Sequence, residues 1–125
     1  MIAYVDGSPV LNKVAVCVNG AHATYDIDAL LLPVTNNEAE YIAVYKAVLW
    51  YPDVTEIASD SQLIINQLRG DWRIHKENLR TFVNIIRYLV DYLHDGKMLW
   101  TWVSRFNNPA GLHLDKLLKH RKVWL

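Results

Sequence analysis

KVAVCVNGAHATYDI, residues 13–27, decides how the chain begins to fold. Residues 13–18 are an apolar run rich in valine, which suits a buried, pleated strand. Asn19-Gly20 follows, a strong two-residue hairpin signal because both residues tolerate positive φ. Residues 21–27 then return as the partner strand. Upstream, IAYV (2–5) reads as a further strand, stopped by the turn formers DGSP (6–9).

Downstream the period changes. Residues 36 to about 51 read as a helix with Ala39, Ile42, Ala43 and Ala47 on an apolar stripe. Thr35 or Asn36 can cap it, and Glu38 sits in the capping-box position relative to Thr35. Pro52 marks its end. VTEIAS (54–59) is a strand, and SQLIINQL (61–68) a short helix closed by Arg69-Gly70. After a connector at 70–76, Glu77 to Leu93 gives the clearest helix, with Leu79, Phe82, Ile86, Leu89 and Leu93 on one face. KMLWTWV (97–103) is a strand whose Trp100 and Trp102 share a face and are expected to pack under a helix. FNNP breaks the chain, and 110–121 reads as a last helix. The order β-β-β-α-β-α-α-β-α predicts an α/β fold, a mixed five-stranded sheet with helices on both faces. The 125 residues are expected to form one domain, 1–125.

A chain that is 52% hydrophobic and 21% charged is globular rather than disordered. Cys17 is its only cysteine, which excludes an internal disulfide and a cysteine-based metal site. The opening MIAYVDGS has no basic stretch followed by a long apolar one, so no signal peptide is expected. No apolar run approaches the roughly 18 residues of a membrane span. A cytoplasmic protein without membrane association is the expectation. The formal net charge of +0 hides an asymmetry. Residues 1–60 hold eight acids and two bases, a net of −6, whereas 61–125 hold five acids and eleven bases, a net of +6. Carboxylates for metal in one half and phosphate-gripping bases in the other would suit a nuclease.

Four acids sit at special places on this map. Asp6 ends the first strand, Glu40 lies early in the first helix, Asp60 ends the fourth strand, and Asp115 lies in the last helix. Sites in open α/β sheets gather at the carboxyl ends of strands, so Asp6 and Asp60 meet if their strands are parallel neighbours. Phosphodiester cleavage needs an activated water and charge neutralisation at the leaving oxygen. Two Mg²⁺ ions about 3.5–4 Å apart supply both, and Mg²⁺ prefers hard carboxylate oxygens. Taken singly, each acid is better explained as a cap or surface charge; it is the set, in this order on this topology, that carries weight.

As a set, the motifs resemble type 1 ribonuclease H, of the ribonuclease H-like fold, over nearly the whole chain. YVDGS is similar to that family's first-strand motif, TNNEAEY to its TNNxxE helix segment, IASDSQ to its fourth-strand motif ending in DSQ, and NPAGLHLDKL to its closing segment. The resemblance implies that Asp6, Glu40, Asp60 and Asp115 bind the catalytic metals, Mg²⁺ or Mn²⁺, in a two-metal mechanism. It implies an endonuclease that cuts the RNA strand of RNA–DNA hybrids and leaves 5′-phosphates. Asn36, Asn37, Gln62 and Ser8 would contact the hybrid. An amide both donates and accepts, which suits a ribose 2′-hydroxyl. Glu38 falls on an x of TNNxxE, which leaves it the capping role.

The chain departs from the family in three places. PVLNK (9–13) replaces a glycine-rich turn that approaches the RNA strand. The loop SRFNNP (104–109) lacks the histidine that well-studied members carry, and Arg105, its charged residue, is expected to contact phosphate. His113 precedes Asp115 by two positions, about 200° around a helix, so it is no replacement. The basic protrusion of some members is reduced to RGDWRIHKENLR (69–80), where Trp72, Arg73 and Lys76 offer a phosphate-and-sugar surface or, alternatively, a solvated connector with Trp72 lidding the core. The tail KLLKHRKVWL reads either as a weaker second basic patch or as the amphipathic end of the last helix, with Val123, Trp124 and Leu125 docked on the body or on a protein partner. A monomer is expected. Two other readings stay open: the same fold acting on DNA or branched substrates, and a non-catalytic nucleic-acid-binding module.

Overall fold

The computed structural model describes residues 1–123, and side chains through residue 120. Its strands are β1 (Ile2–Ser8), β2 (Lys13–Val18), β3 (Ala21–Asp26), β4 (Glu56–Ser59) and β5 (Leu99–Trp102). Its helices are α1 (Asn36–Trp50), α2 (Gln62–Arg69), α3 (Glu77–Leu93) and α4 (Pro109–Val123), with 3₁₀ turns at Ala29–Leu31 and Arg105–Asn107. The sheet order is β3-β2-β1-β4-β5. β1 and β2, and β2 and β3, pair antiparallel, whereas β4 pairs parallel with both β1 and β5. This is the mixed five-stranded α/β sheet expected from the element order.

The β2–β3 hairpin turns at Asn19 (φ 52°) and Gly20 (φ 78°), the positive-φ pair that an Asn-Gly turn provides. Both faces of the centre are covered, which explains the unbroken apolar run in β2. Val14 and Val16 face the larger core with Ala3 and Val5 of β1, against α1, α2 and α3. Ala15 and Cys17 face the other way, onto Ala110 and Leu114 of α4. Each fully buried Val, Ile or Leu stabilises the fold by about 1.5–3 kcal/mol. The capping box at α1 forms as expected, with Glu38 N–H donating to Thr35 Oγ1 (3.1 Å) and Thr35 N–H to Glu38 Oε1 (2.9 Å).

Three details differ from the sequence reading. β1 does not stop before Asp6 but continues to Ser8, because Asp6, Gly7 and Ser8 pair with Ala15, Val14 and Lys13. Strand pairing there overrides the turn preference of DGS. The buried stripe of α3 is Leu79, Val83, Ile86 and Val90, with Phe82 and Leu89 half-buried and Leu93 exposed, so the helix is rotated slightly from the expected face. Trp100 packs on the core, but Trp102 is 43% exposed at the end of edge strand β5, where its indole N–H donates to Asp60 O (3.1 Å). Trp124 and Leu125, with the Val123 side chain, lie outside the described residues. Among the described residues no helix is long and apolar enough to cross a membrane.

Candidate active site

Strand register creates the site. The last paired couple of the parallel β1–β4 ladder is Tyr4↔Ala58. Asp6 and Asp60 each lie two residues beyond it, so they emerge side by side at the carboxyl end of the sheet. α1 begins across the same edge and brings Glu40 over β1, where Gly7 N–H donates to Glu40 Oε1 (3.2 Å). Gly7 is what permits that approach: a Cβ there would collide with the carbonyl carbon and oxygen of Ala39. One carboxylate oxygen each from Asp6, Glu40 and Asp60 lies within 4.8 Å of the others.

Asp115 does not join this group directly. It reaches the cluster through Arg105, which the sequence reading had directed at phosphate. Arg105 Nη1 donates to Asp6 Oδ2 and to Asp60 Oδ2, both at 2.9 Å, and Nη2 donates to Asp115 Oδ1 at 2.8 Å. Asn108 is a residue that sequence reasoning missed. Fully buried, it donates from Nδ2 to Val5 O (3.0 Å) and Asp60 Oδ2 (2.9 Å), while its Oδ1 accepts from Gly111 N–H (3.4 Å). It thus ties β1, Asp60 and the first turn of α4 together. Its one local signal is the Asn-Pro pair, a helix N-cap followed by proline at the first helical position.

The charges are uneasy together. Burial raises the Asp6 carboxyl above its ordinary value, even though Glu40 and Arg105 pull it back. Glu40 is held well above its ordinary value by burial first and by Asp6 second. Within this pair Glu40 keeps the proton, as two adjacent buried carboxylates require. Burial alone would lower the Arg105 guanidinium, but Asp60, Asp6 and Asp115 outweigh that and raise it. Glu40 Oε2 is buried and accepts no hydrogen bond from an N–H or hydroxyl group, and the Glu40 and Asp6 side chains share the retained proton. Such a buried oxygen among hard carboxylate donors fits a divalent cation such as Mg²⁺.

Stability should record this strain. A carboxyl whose pKa is raised on folding favours the folded state at low pH. That advantage disappears as pH rises from about 4.5 through the raised folded value. Without divalent ions the wild type should therefore lose stability from mildly acid to neutral pH. Glu40→Gln should flatten that slope and melt a few degrees higher at pH 7.5. Melts in EDTA at pH 5 and 7.5 check this; identical slopes in the two proteins would contradict it.

The expected nucleic-acid residues fall into separate places. Asn36 and Asn37 line a groove of about 200 Å³ with Thr35, Lys76, Asn78 and Leu79, at the facing N-termini of α1 and α3. Lys76 thus joins the asparagines rather than Trp72 and Arg73. Those two line another groove, of about 420 Å³, with Gln67, Arg80 and Arg87. Trp72 is 46% exposed rather than a lid on the core. Gln62 is exposed at the start of α2. Ser8 Oγ accepts from Leu11 N–H (3.2 Å) and braces the turn that replaces the glycine-rich one. His113 stacks on His22, ring centroids 4.5 Å apart.

No protein-family model matches the chain. It is 30% identical over 95 residues to the uncharacterized protein YpeP of Bacillus subtilis (strain 168); the match covers 71% of this chain and 42% of that relative's length. Solved structures are closer in shape than in sequence. RNase H1 from the halophilic archaeon Halobacterium salinarum NRC-1 superposes with a TM-score of 0.62 at 27% identity, over 87% of this chain and 89% of the other. LC11-RNase H1, isolated from compost by a metagenomic approach and solved in complex with an RNA/DNA hybrid, gives 0.71 at 21% identity over 94% and 98%. The N-terminal RNase H domain of a Mycobacterium tuberculosis protein gives 0.64 at 21% identity over 86% and 84%. The superpositions, over most of both chains, together with the mixed five-stranded sheet in the order β3-β2-β1-β4-β5, give the chain the ribonuclease H-like fold.

Proposed function

We propose that the chain is a divalent-metal-dependent nuclease that cuts the RNA strand of RNA–DNA hybrids. The observation that carries this reading is the convergence of Asp6, Glu40 and Asp60 at the carboxyl ends of two parallel strands, with one Glu40 oxygen buried and accepting no N–H or hydroxyl hydrogen bond. Asp6, Glu40 and Asp60 would hold Mg²⁺ or Mn²⁺, and Asp115 would complete the set. The metal supplies charge neutralisation at the leaving oxygen and an activated water. Asn36, Asn37 and Lys76 would hold one strand along their shared groove, where two helix N-termini also favour phosphate. Gln62 and Ser8 would contact the hybrid nearer the carboxylates. Trp72 and Arg73 would extend the grip on sugar and phosphate. Arg105 would reach phosphate only after leaving its carboxylates. Complete sets of carboxylates are of no use to a mere binder, since they repel phosphate.

A second reading keeps the chemistry and changes the substrate. It is favoured by the turn at residues 9–12, where Asn12 (φ 52°) rather than a glycine takes the left-handed position. A backbone flanked by side chains approaches a 2′-hydroxyl less closely. Labelled RNA–DNA hybrid, duplex DNA, double-stranded RNA and branched DNA, each with Mg²⁺, Mn²⁺ or EDTA, separate the readings. Metal-dependent cutting of RNA in the hybrid alone is expected. Cutting of duplex or branched DNA with the hybrid untouched would transfer the assignment to the second reading.

A further inference from the structure

We propose that Arg105 is a built-in counter-cation that competes with divalent metal for Asp6 and Asp60. This rests on the reading of the carboxylate cluster as a metal site, and adds a determinant of how tightly that site binds. The guanidinium engages three carboxylates from β1, the end of β4 and α4 at 2.8–2.9 Å. It occupies Asp6 Oδ2 and Asp60 Oδ2, one of the two oxygens that each carboxylate has to offer an ion. The lone pairs left on Asp60 Oδ2 are already shared with Asn108.

Its seat is built into the helix. A Cβ on Gly111 would lie 2.5 Å from Arg105 Nη1, 2.8 Å from Cζ and 3.2 Å from Asp60 Oδ2. Gly111 does not adopt a left-handed φ, so its backbone conformation does not demand glycine. In a helix, glycine is less favourable than alanine. The missing Cβ leaves room for the guanidinium. Arg105 itself stands on the short 3₁₀ turn between β5 and α4, its side chain 42% exposed. It can swing into solvent without unpacking the core.

Metal loading therefore includes breaking three charge-assisted hydrogen bonds. Removing the guanidinium leaves the carboxylates repelling one another and ready for a stronger cation. Two consequences separate this from a purely structural arginine. Arg105→Gln and Arg105→Ala should bind Mn²⁺ about tenfold to a hundredfold more tightly than wild type. In EDTA both should melt lower than wild type, and saturating Mn²⁺ should raise their melting temperature more than it raises that of the wild type. Arg105→Lys, which keeps the charge but not the fork, should fall between.

The experiment is Mn²⁺ titration of the full chain, followed by electron paramagnetic resonance of the free ion and by thermal melts, with no nucleic acid present. Tighter binding in the Gln and Ala variants, with the larger melting shift, is the expected result. Equal or weaker Mn²⁺ binding in folded variants overturns the counter-cation role and leaves the metal site standing. Absence of Mn²⁺ binding in every protein, wild type included, overturns the metal reading and this proposal with it. Should Arg105→Ala fail to fold, Arg105→Gln and Arg105→Lys carry the comparison.

Discussion

Asp60→Asn is expected to lower metal-dependent cleavage of an RNA–DNA hybrid on the order of a thousandfold or more, while leaving the fold intact. The size follows from position. Asp60 stands beside Asp6 at the ends of two parallel strands, and its Oδ2 is the point where Arg105 and Asn108 meet. An amide at that position contributes no charge to a divalent ion, and displaced electrostatic stabilisation of this kind typically costs two to three orders of magnitude or more. The fold should tolerate the change. An asparagine oxygen still accepts from Asn108, and Arg105 keeps Asp6 and Asp115. Cleavage rates in Mg²⁺, read beside near-ultraviolet circular dichroism and a thermal melt, test both halves. Cutting within a few-fold of wild type by a folded variant would remove Asp60 from the machinery.

Gly7→Ala should be the most destabilising small substitution in the chain, about 3 kcal/mol. The added methyl meets backbone, not a flexible side-chain tip: the carbonyl carbon and oxygen of Ala39, with Ala39 Cβ 2.9 Å away. β1 is the central strand, held by β2 on one side and β4 on the other, so it cannot retreat. α1 would have to lift, taking Glu40 from the Gly7 amide. Urea denaturation should show a lower midpoint with an unchanged slope. The same variant should lose cleavage under conditions where it is still folded. An unfolding free energy within about 0.5 kcal/mol of wild type would mean that α1 yields easily at this crossing.

Much of the architecture was legible because it rests on local signals. Asn19-Gly20 located the hairpin, Thr35 with Glu38 located the start of α1, and the 3.6-residue period located α3. The pairing of Asp6 with Asp60 was legible only conditionally, since it needed β1 and β4 to be parallel neighbours. Gly7, Asn108 and Gly111 could not be read, because each answers a demand made by a distant segment: Ala39 for Gly7, Val5 for Asn108, and for Gly111 the Asp6 and Asp60 carboxylates that hold the Arg105 guanidinium against it. Arg105 illustrates the limit most clearly. A lone arginine in a loop says nothing about which charges the fold will bring to it. The split of Lys76 from Trp72 and Arg73 is of the same kind. Ile74 and His75, which separate Arg73 from Lys76, suffice to turn neighbours in sequence onto different grooves.

Because Asp6 owes its neighbour to a strand that follows α1, the carboxylate edge has a schedule. A growing polypeptide that has emerged only as far as the hairpin and α1 carries Asp6 and Glu40 but no Asp60. The Asn108 brace and the Asp115 arm arrive later still, after β5 has closed the sheet. The carboxylate edge is therefore assembled last, by long-range closure, and an unfinished chain beside the messenger that encodes it carries an incomplete cluster.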